Sequence, residues 1–273
     1  MDAQQPSRRD ESPREEFRVL VASTAPVELG RLVARRGELA HHRERSNWSM
    51  ASFDRVPDGD FDLSIVVCGN ESEMPAALSL ASALARRRDT TLVLAPGAIV
   101  GPETVVQGAL VVAARGSSPF ANLALLARAI IAPVLTESMV CVDWADLLTV
   151  LDDGTQATLV AGKGASPLAA IAALSTELEA SAVPGFHGIC GALSSQRGMT
   201  LQAYHAFLGA MRARTASGAY HVLTVPQHFG EGALACVLAI TTPKRRSRAA
   251  STVPDPASDG SVDDLPAFLR NPS

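Results

Sequence analysis

Short apolar runs alternate with segments of helical spacing along the first half of this chain. The runs cover residues 17–22, 61–68 and 91–95, and segments 27–36 and 74–88 between them carry apolar residues at helical spacing. Each run is apolar on both faces, which is typical of strands buried in a parallel sheet. We therefore predict an α/β fold with helices covering both faces of the sheet.

The second half of the chain begins with a Gly/Ser/Pro punctuation at 116–119 and a helix predicted over residues 120–137. Apolar residues nearly encircle this helix, which predicts burial between two layers. Further strands are predicted at 157–162, 187–193, 220–226 and 234–241, with helices at 167–179 and 201–214. A turn at 230–232 predicts an antiparallel hairpin between the last two strands, so this half reads as α+β.

Composition shifts divide the chain into six parts. Residues 1–16 are charged and contain two prolines, which predicts a disordered arm. A first domain spans 17–119, the long helix spans 120–137, and a second domain spans 138–242. Residues 243–261 form a Pro/Ser-rich linker, and 262–273 form a short terminal peptide.

Composition also excludes several functional classes. With 47% hydrophobic and 19% charged residues the chain can bury a core, so disorder along its whole length is excluded. The net charge is −4 and the arginines are scattered, which argues against a nucleic-acid partner. No apolar window spans about 20 residues and the first 18 residues contain no apolar signal-peptide core, so we expect no membrane insertion and a cytoplasmic protein.

The cysteines and histidines give no metal-binding pattern. Cys68, Cys141, Cys190 and Cys236 lie in apolar runs without C-x-x-C spacing, so we predict four buried free thiols and no metal site. The adjacent His41 and His42 lack a third ligand nearby in the sequence.

The terminal peptide carries an apolar stripe that has no core of its own. Leu265, Phe268 and Leu269 follow i, i+3, i+4 spacing, with Pro266 tolerated in the first helical turn. Such a stripe on a linker predicts a peptide that docks into a partner's groove.

Four segments resemble the FtsZ family of tubulin-like bacterial division proteins. D-L-P-A-F-L-R at 264–270 is similar to the family's C-terminal peptide, and V-C-V-D-W-A-D-L-L-T-V-L at 140–151 resembles its synergy loop and following helix. Segments 157–165 and 191–201 resemble two glycine-containing segments of its second domain. The resemblance implies a shortened Rossmann-like N-terminal domain, a central helix and an α+β C-terminal domain. It also implies that Asp264, Leu265, Pro266, Phe268, Leu269 and Arg270 bind division partners such as FtsZ's actin-like membrane tether.

The two phosphate-binding turns depart from the family pattern. The family's turns are glycine-rich, whereas this chain reads A-S-T-A-P-V-E at 22–28 and G-N-E-S-E-M-P at 69–75. Side chains block the close approach of backbone to phosphate, and Pro26 and Pro75 remove N–H donors. Glu71 and Glu73 place negative charge where phosphate would lie. We therefore expect a degenerate nucleotide site and no bound cofactor.

Three polar residues match functional positions of the family. Asp143 and Asp146 correspond to an acidic pair that acts on the nucleotide of the neighbouring subunit, and Asn122 corresponds to a residue that contacts the guanine base. Each has a structural alternative. The two aspartates also suit the start of a helix, and an asparagine at a helix start is commonly a cap.

The resemblance and the departures together lead to one expectation and two alternatives. We expect a pseudo-GTPase that modulates ring assembly by binding FtsZ filaments, the partners of the FtsZ tail, or both, at the midcell division ring. The first alternative is a divergent GTPase that binds GTP and forms its own filaments. The second is an adaptor that works only through its tail.

Overall fold

A computed structural model describes residues 17–26, 46–87, 90–116, 118–135, 138–152, 154–181, 185–196, 198–226 and 232–243. The predicted arm at 1–16, the helix at 27–36, residues 244–261 of the linker and the terminal peptide with Asp264, Leu265, Pro266, Phe268, Leu269 and Arg270 lie outside these residues.

Strands and helices alternate along the described residues, as the apolar runs predict. The strands are β1 (Phe17–Ser23), β2 (Ser46–Ala51), β3 (Leu63–Val67), β4 (Thr90–Pro96), β5 (Ala109–Ala114), β6 (Gly154–Gly164), β7 (Phe186–Ser195), β8 (Thr215–Thr224) and β9 (Ala233–Pro243). The helices are α1 (Met74–Ala85), α2 (Pro119–Leu126), α3 (Ala132–Leu135), α4 (Trp144–Leu151), α5 (Pro167–Glu179) and α6 (Leu201–Arg212).

These strands form a single sheet in the order β2-β1-β3-β4-β5-β6-β9-β7-β8. The pairs from β2 through β6 are parallel, which confirms the predicted parallel sheet. β9 lies antiparallel between β6 and β7, and β8 adds in parallel to β7. Because β5 pairs directly with β6, the sheet is continuous across the predicted domain boundary, and the division into domains stays a prediction.

The predicted hairpin between the last two strands is wrong. β8 pairs with β7, and β7 in turn pairs with β9, so β7 separates the two strands that were expected to be neighbours. Both strands read as apolar runs, and a turn signal between them does not specify which edge of the sheet each one joins.

Side chains alternate between two cores on opposite faces of the parallel half. Val19 and Val21 of β1 enter the core beneath the central helix, whereas Leu20 enters the core beneath α1. The core beneath the central helix continues onto the second half of the sheet, where Leu238 and Ile240 of β9 join it. α5 and α6 cover the other face of that half.

The central helix consists of α2, a π-helical segment at Ala127–Ile131, and α3. Ser118 caps it, since its hydroxyl accepts the N–H of Ala121 at 3.4 Å, and Pro119 stands in its first turn. Leu123, Leu126 and Ile130 are at most 1% exposed. The predicted burial of this helix is therefore confirmed.

The G-K-G sequence at 162–164 serves the packing of α5 against β6. A Cβ atom at Gly162 would lie 2.1 Å from the backbone nitrogen of Leu174, and one at Gly164 would lie 2.6 Å from that of Ala170. Only a residue without a side chain permits this approach of helix to strand.

Candidate functional site

The first candidate site lies at the carboxyl edge of the parallel strands. β1 and β3 are hydrogen-bonded neighbours, and Ser23 at the end of β1 pairs with Val67 at the end of β3. The segments that leave these strands, 24–26 and 68–73, therefore lie side by side. In open α/β sheets this edge is where ligands bind.

The carboxylate of Glu73 lies between the segments that follow β1 and β3 at this edge. Its Oε2 accepts the backbone N–H of Gly69 at 2.7 Å, while its Oε1 accepts the hydroxyl of Thr24 at 2.9 Å and the side-chain amide of Asn70 at 2.8 Å. A charged acceptor makes these bonds stronger than neutral ones. Glu73 thus links the turn after β3 to the segment after β1.

Asn70 completes this network from the opposite direction. Its side-chain oxygen accepts the N–H of Glu73 at 3.2 Å and the hydroxyl of Ser72 at 2.6 Å, which caps the 3₁₀ turn at Glu71–Glu73. α1 follows directly, with Pro75 in its first turn. The side chains of Asn70 and Glu73 thus occupy the turn's own hydrogen-bonding groups, and we refer to residues 69–73 as the closed turn. Glu71 remains exposed at its surface.

The start of the central helix borders the same turn. A Cβ atom built at Gly69 would lie 3.7 Å from Cγ of Pro119. Asn122, one turn into the helix, is 2% exposed, and its side-chain amide donates to the carbonyl oxygen of Gly116 at 2.7 Å. Ser118 is the cap, so the alternative reading of Asn122 as a helix cap is wrong.

A thiol lies directly beneath the turn. The Sγ of Cys68 donates to the carbonyl oxygen of Asn70 at 3.1 Å. Burial raises the pKa of this thiol above its ordinary value, and the negative charge of Glu73 acts in the same direction. Cys68 is therefore held in its neutral form and serves as a hydrogen-bond donor.

The donors at this edge suit an anion, and the carboxylate of Glu73 already occupies them. The Gly69 N–H, the Thr24 hydroxyl and the Asn70 amide are donors of the kind that bind phosphate oxygens. All three donate to Glu73 instead. Of the two carboxylates predicted to oppose phosphate, Glu73 is the one that occupies these donors.

The second candidate site is the acidic pair at the start of α4. Asp143 accepts the N–H of Asp146 at 2.8 Å, and Asp146 accepts the N–H of Asp143 at 3.1 Å, which forms a reciprocal capping box. Both residues are exposed. The structural alternative for the pair is therefore observed, and it leaves one oxygen of each carboxylate outside the two capping bonds.

The loop that carries the acidic pair is fastened to the end of β8. The hydroxyl of Ser138 accepts the N–H of Val225 at 3.0 Å, and the hydroxyl of Thr224 donates to the carbonyl oxygen of Val140 at 3.3 Å. Thr224 is fully buried. These bonds fix the backbone on the approach to Asp143.

The two candidate sites lie at opposite edges of the sheet. Trp144, next to Asp143, packs edge-on against Phe17, the first residue of β1, with ring centroids 5.0 Å apart. β1 ends at Ser23, beside Glu73's partner Thr24. Six residues of extended strand separate the two ends by about 20 Å, at roughly 3.3 Å per residue.

One prediction about the acidic loop is wrong. Cys141 is exposed, whereas Cys68, Cys190 and Cys236 are buried as free thiols. The apolar neighbours Val140 and Val142 suggested a strand, but the loop turns before α4 and leaves the thiol at the surface.

Two negative findings concern the described ranges only. Within them, no helix is both long and apolar enough to cross a membrane. The same residues contain no group of three or more His, Cys, Asp or Glu side chains placed to hold a metal ion. His41 and His42 lie outside these ranges.

Sequence reasoning identified Glu73 as a repulsive charge and missed its inward hydrogen bonds. A signal was present, because Asn70 and Glu73 have the N-x-x-E spacing of a capping box. The contribution of Thr24 had no local signal, since Thr24 and Glu73 are 49 residues apart.

The sheet order and the central helix across its face define a two-part α/β fold, and solved structures identify which one it is. FtsZ from M. jannaschii, in a mutant form, superposes with a TM-score of 0.58 at 13% identity, over 84% of this chain and 92% of that one. CetZ from Methanosaeta thermophila gives 0.54 at 13% identity, over 82% and 87%. CetZ2 from Haloferax volcanii, solved as a GTPγS-bound protofilament, gives 0.50 at 16% identity, over 85% and 94%.

This chain therefore has the tubulin/FtsZ-like fold, which confirms the fold that the sequence resemblance implied. No protein-family model matches it, and the comparison with curated proteins gives no match. The low identities fit a divergent sequence.

Proposed function

We propose that this chain is a tubulin-like pseudo-GTPase that modulates a cell-division ring, at midcell, by binding FtsZ filaments, the partners of the FtsZ tail, or both. The observation that carries the proposal is the 2.7 Å hydrogen bond from the Gly69 N–H to the Glu73 carboxylate. It supports the loss of triphosphate binding because the Glu73 carboxylate already accepts the hydrogen bonds that a phosphate would need.

Electrostatics indicates how strongly this arrangement opposes a nucleotide. A phosphate would first have to take the donors from Glu73 and would then lie close to its carboxylate. Two unit negative charges about 4 Å apart repel by about 4 kcal/mol at an effective dielectric near 20. That corresponds to roughly a thousandfold loss of affinity.

The opposite edge supports contact with a filament. Asp143 and Asp146 are exposed at the amino edge of the sheet, about 20 Å from the closed turn. A subunit with this edge intact would dock onto the nucleotide-bearing end of an FtsZ filament. Without a nucleotide of its own, it would offer the next subunit no binding surface and would cap the polymer.

The terminal peptide supplies the second contact of the proposal. Leu265, Phe268 and Leu269 would enter the groove that receives the FtsZ tail on its partners, with Asp264, Pro266 and Arg270 flanking them. Burial of each apolar side chain is worth about 1.5–3 kcal/mol, less the ordering of the peptide. Affinity of micromolar order follows, which suits competition within a ring.

Sedimentation of FtsZ with GTP, with and without the full chain, tests the proposal. We expect less FtsZ in the pellet at substoichiometric ratios of this chain, because capping acts on filament ends. A matched preparation lacking residues 262–273 separates the contributions, since capping persists without the peptide while an adaptor loses its whole effect. An unchanged pellet at equimolar chain contradicts filament binding and leaves only binding to the partners of the FtsZ tail.

The alternative is a divergent GTPase that forms its own filaments. The observation in its favour is the fold itself, because CetZ2 of the same fold was solved as a GTPγS-bound protofilament. It predicts GTP turnover by the purified chain that is lost in the variant Asp143→Ala plus Asp146→Ala. Absence of GTP binding at millimolar nucleotide contradicts this alternative.

A further inference from the structure

A cavity of about 690 Å³ opens at the amino edge of the sheet, away from the closed turn. It lies between the amino ends of β4, β5 and β6, the last turn of α4 and the loop before β5. Its walls combine apolar side chains, among them Leu92, Leu110 and Leu151, with polar ones such as Thr90, Gln107 and Thr155. Val105 on its rim is 51% exposed, so the cavity presents an apolar surface to solvent.

The loop before β5 is held in place by one half-buried amide. The side-chain nitrogen of Gln156 in β6 donates to the carbonyl oxygens of Gly101 at 2.8 Å and Thr104 at 3.0 Å. Its oxygen accepts the hydroxyl of Thr242 in β9 at 3.3 Å. A volume of this size is typical of sites that enclose several apolar groups.

The described chain ends at the mouth of this cavity. Pro243, the last residue of β9, is paired with Gly154 of β6, and Gly154 lines the cavity together with Thr155. The hydroxyl of Thr155 also donates to the carbonyl oxygen of Thr242 at 3.3 Å. The remaining 30 residues, 244–273, therefore start at the rim.

We propose that the cavity is the docking site of this chain's own terminal peptide, with Leu265, Phe268 and Leu269 inserted between α4 and the amino ends of β4 and β5. The exposed carboxylate of Asp152 lines the cavity at the end of α4 and complements Arg270 in charge. The apolar side chains of the peptide would cover the exposed rim at Val105.

The length of the intervening chain fits this geometry. Twenty-one residues separate Pro243 from Leu265, and a coil of that length has an end-to-end distance on the order of 25 Å. Such a tether produces an effective concentration of roughly millimolar. A peptide of micromolar intrinsic affinity is then mostly bound in cis, which withholds it from a partner's groove. This inference goes beyond the proposed function and requires neither GTP nor FtsZ.

The test measures binding of a labelled synthetic peptide with the sequence of residues 262–273 to the full chain. The competitor in cis is removed by the triple variant Leu265→Ser, Phe268→Ser, Leu269→Ser, which alters no residue of the described fold. We expect this variant to bind the peptide at least about tenfold more tightly than the intact chain does. Equal binding by the two chains overturns the proposal, as does failure of both to bind.

A matched pair of substitutions locates the site. Adding Val105→Glu to the triple variant places a carboxylate on the cavity rim and should weaken peptide binding at least tenfold. Adding Leu168→Glu changes an equally exposed side chain, 55% against 51%, at the opposite edge and should have no effect. Equal loss with both substitutions, or no loss with Val105→Glu, overturns the assignment. A protein-concentration series excludes exchange of peptides between two copies, which would make the intact chain's binding concentration-dependent.

Discussion

Phe17 and Trp144 pack edge to face, with ring centroids 5.0 Å apart and ring planes at 73°. Phe17 begins β1, and Trp144 begins α4 directly after Asp143. The contact therefore joins the amino edge of the parallel sheet to the acidic loop. It sets the position of the acidic pair relative to the closed turn at the other end of β1.

This aromatic pair should be measurable in a double-mutant cycle. Phe17→Leu and Trp144→Leu each remove one ring, and the cycle isolates their coupling from the burial that each loses. We expect a coupling of about 0.5–1.5 kcal/mol in the free energy of unfolding by urea, as found for such ring pairs. Strict additivity of the two single variants would contradict the contact.

Glu73 should stabilise the protein through its inward hydrogen bonds. Glu73→Ala leaves the N–H of Gly69 and the amide of Asn70 without their charged acceptor, so we expect the free energy of unfolding to fall by about 1–3 kcal/mol. Glu71→Ala is the matched control, because Glu71 is the exposed glutamate of the same turn. Its effect should stay within about 0.5 kcal/mol. Equal effects of the two substitutions would contradict the assigned network.

The acidic pair allows its capping role to be separated from a filament contact. Asp143→Asn keeps an acceptor for the N–H of Asp146, whereas Asp143→Ala removes it and should cost about 0.5–2 kcal/mol of unfolding free energy. Combined Asp143→Asn and Asp146→Asn should therefore retain most of the stability while removing both charges. We expect this double variant to lose its effect on FtsZ sedimentation. Full retention of that effect would show that the pair serves only as the N-terminal cap of α4.

Thiol reactivity should single out one cysteine. Cys141 is exposed, while burial raises the pKa of Cys68 and raises those of Cys190 to about 12 and Cys236 to about 11. Alkylation of the folded protein near pH 8 should modify Cys141 first, and Cys141→Ala should nearly abolish labelling. Rapid labelling of a second site in the native protein, located by peptide mapping, would contradict the burial pattern.

The buried pair Cys190 and Cys236 should also make stability fall at alkaline pH. Both stay neutral in the folded state well above the ordinary thiol pKa of 9.0. The stabilisation is complete below about pH 9 and is lost as the pH rises toward 11–12, because only the unfolded state releases these protons. The limiting slope is about 1.4 kcal/mol per pH unit for each thiol.

Urea unfolding at several pH values between 8 and 11 checks this slope. Cys190→Ala plus Cys236→Ala should flatten the alkaline decline relative to the unchanged protein, while Cys141→Ala should leave it unaltered. The other titrating groups are common to all three proteins, so the comparison isolates the buried thiols. Identical slopes in the three proteins would contradict the raised pKa values.

Local pattern in the sequence was sufficient for four strands of the parallel half, β1, β3, β4 and β6. Runs such as 61–68 and 91–95 are apolar on both faces because the sheet they form is covered on both sides. Their burial can therefore be predicted from residue type alone. β2 and β5 were missed. In β2, S-N-W-S-M-A alternates too weakly to predict a strand, and the short apolar run A-L-V-V-A-A of β5 does not by itself distinguish a strand from a buried helical segment.

The acidic pair and the turn at 69–75 were singled out by comparing segments 140–151 and 69–75 with the family's motifs, and their function stays a prediction. Side-chain direction was a different matter. Whether Glu73 points toward a phosphate or toward Gly69 depends on Thr24, which the pairing of β1 with β3 brings beside it.

Residue patterns alone predict the class of fold, the buried central helix and the loss of the glycine-rich pattern from the turns after β1 and β3. Only the folded sheet shows that β7 separates β8 from β9, that Glu73 is bound by its own turn, and that the chain leaves the sheet beside an open cavity. Burial and helix caps arise from neighbouring residues along the chain, so they can be predicted locally. Strand partners and the closure of Thr24 upon Glu73 join groups far apart in sequence, which only the folded sheet brings within hydrogen-bond distance.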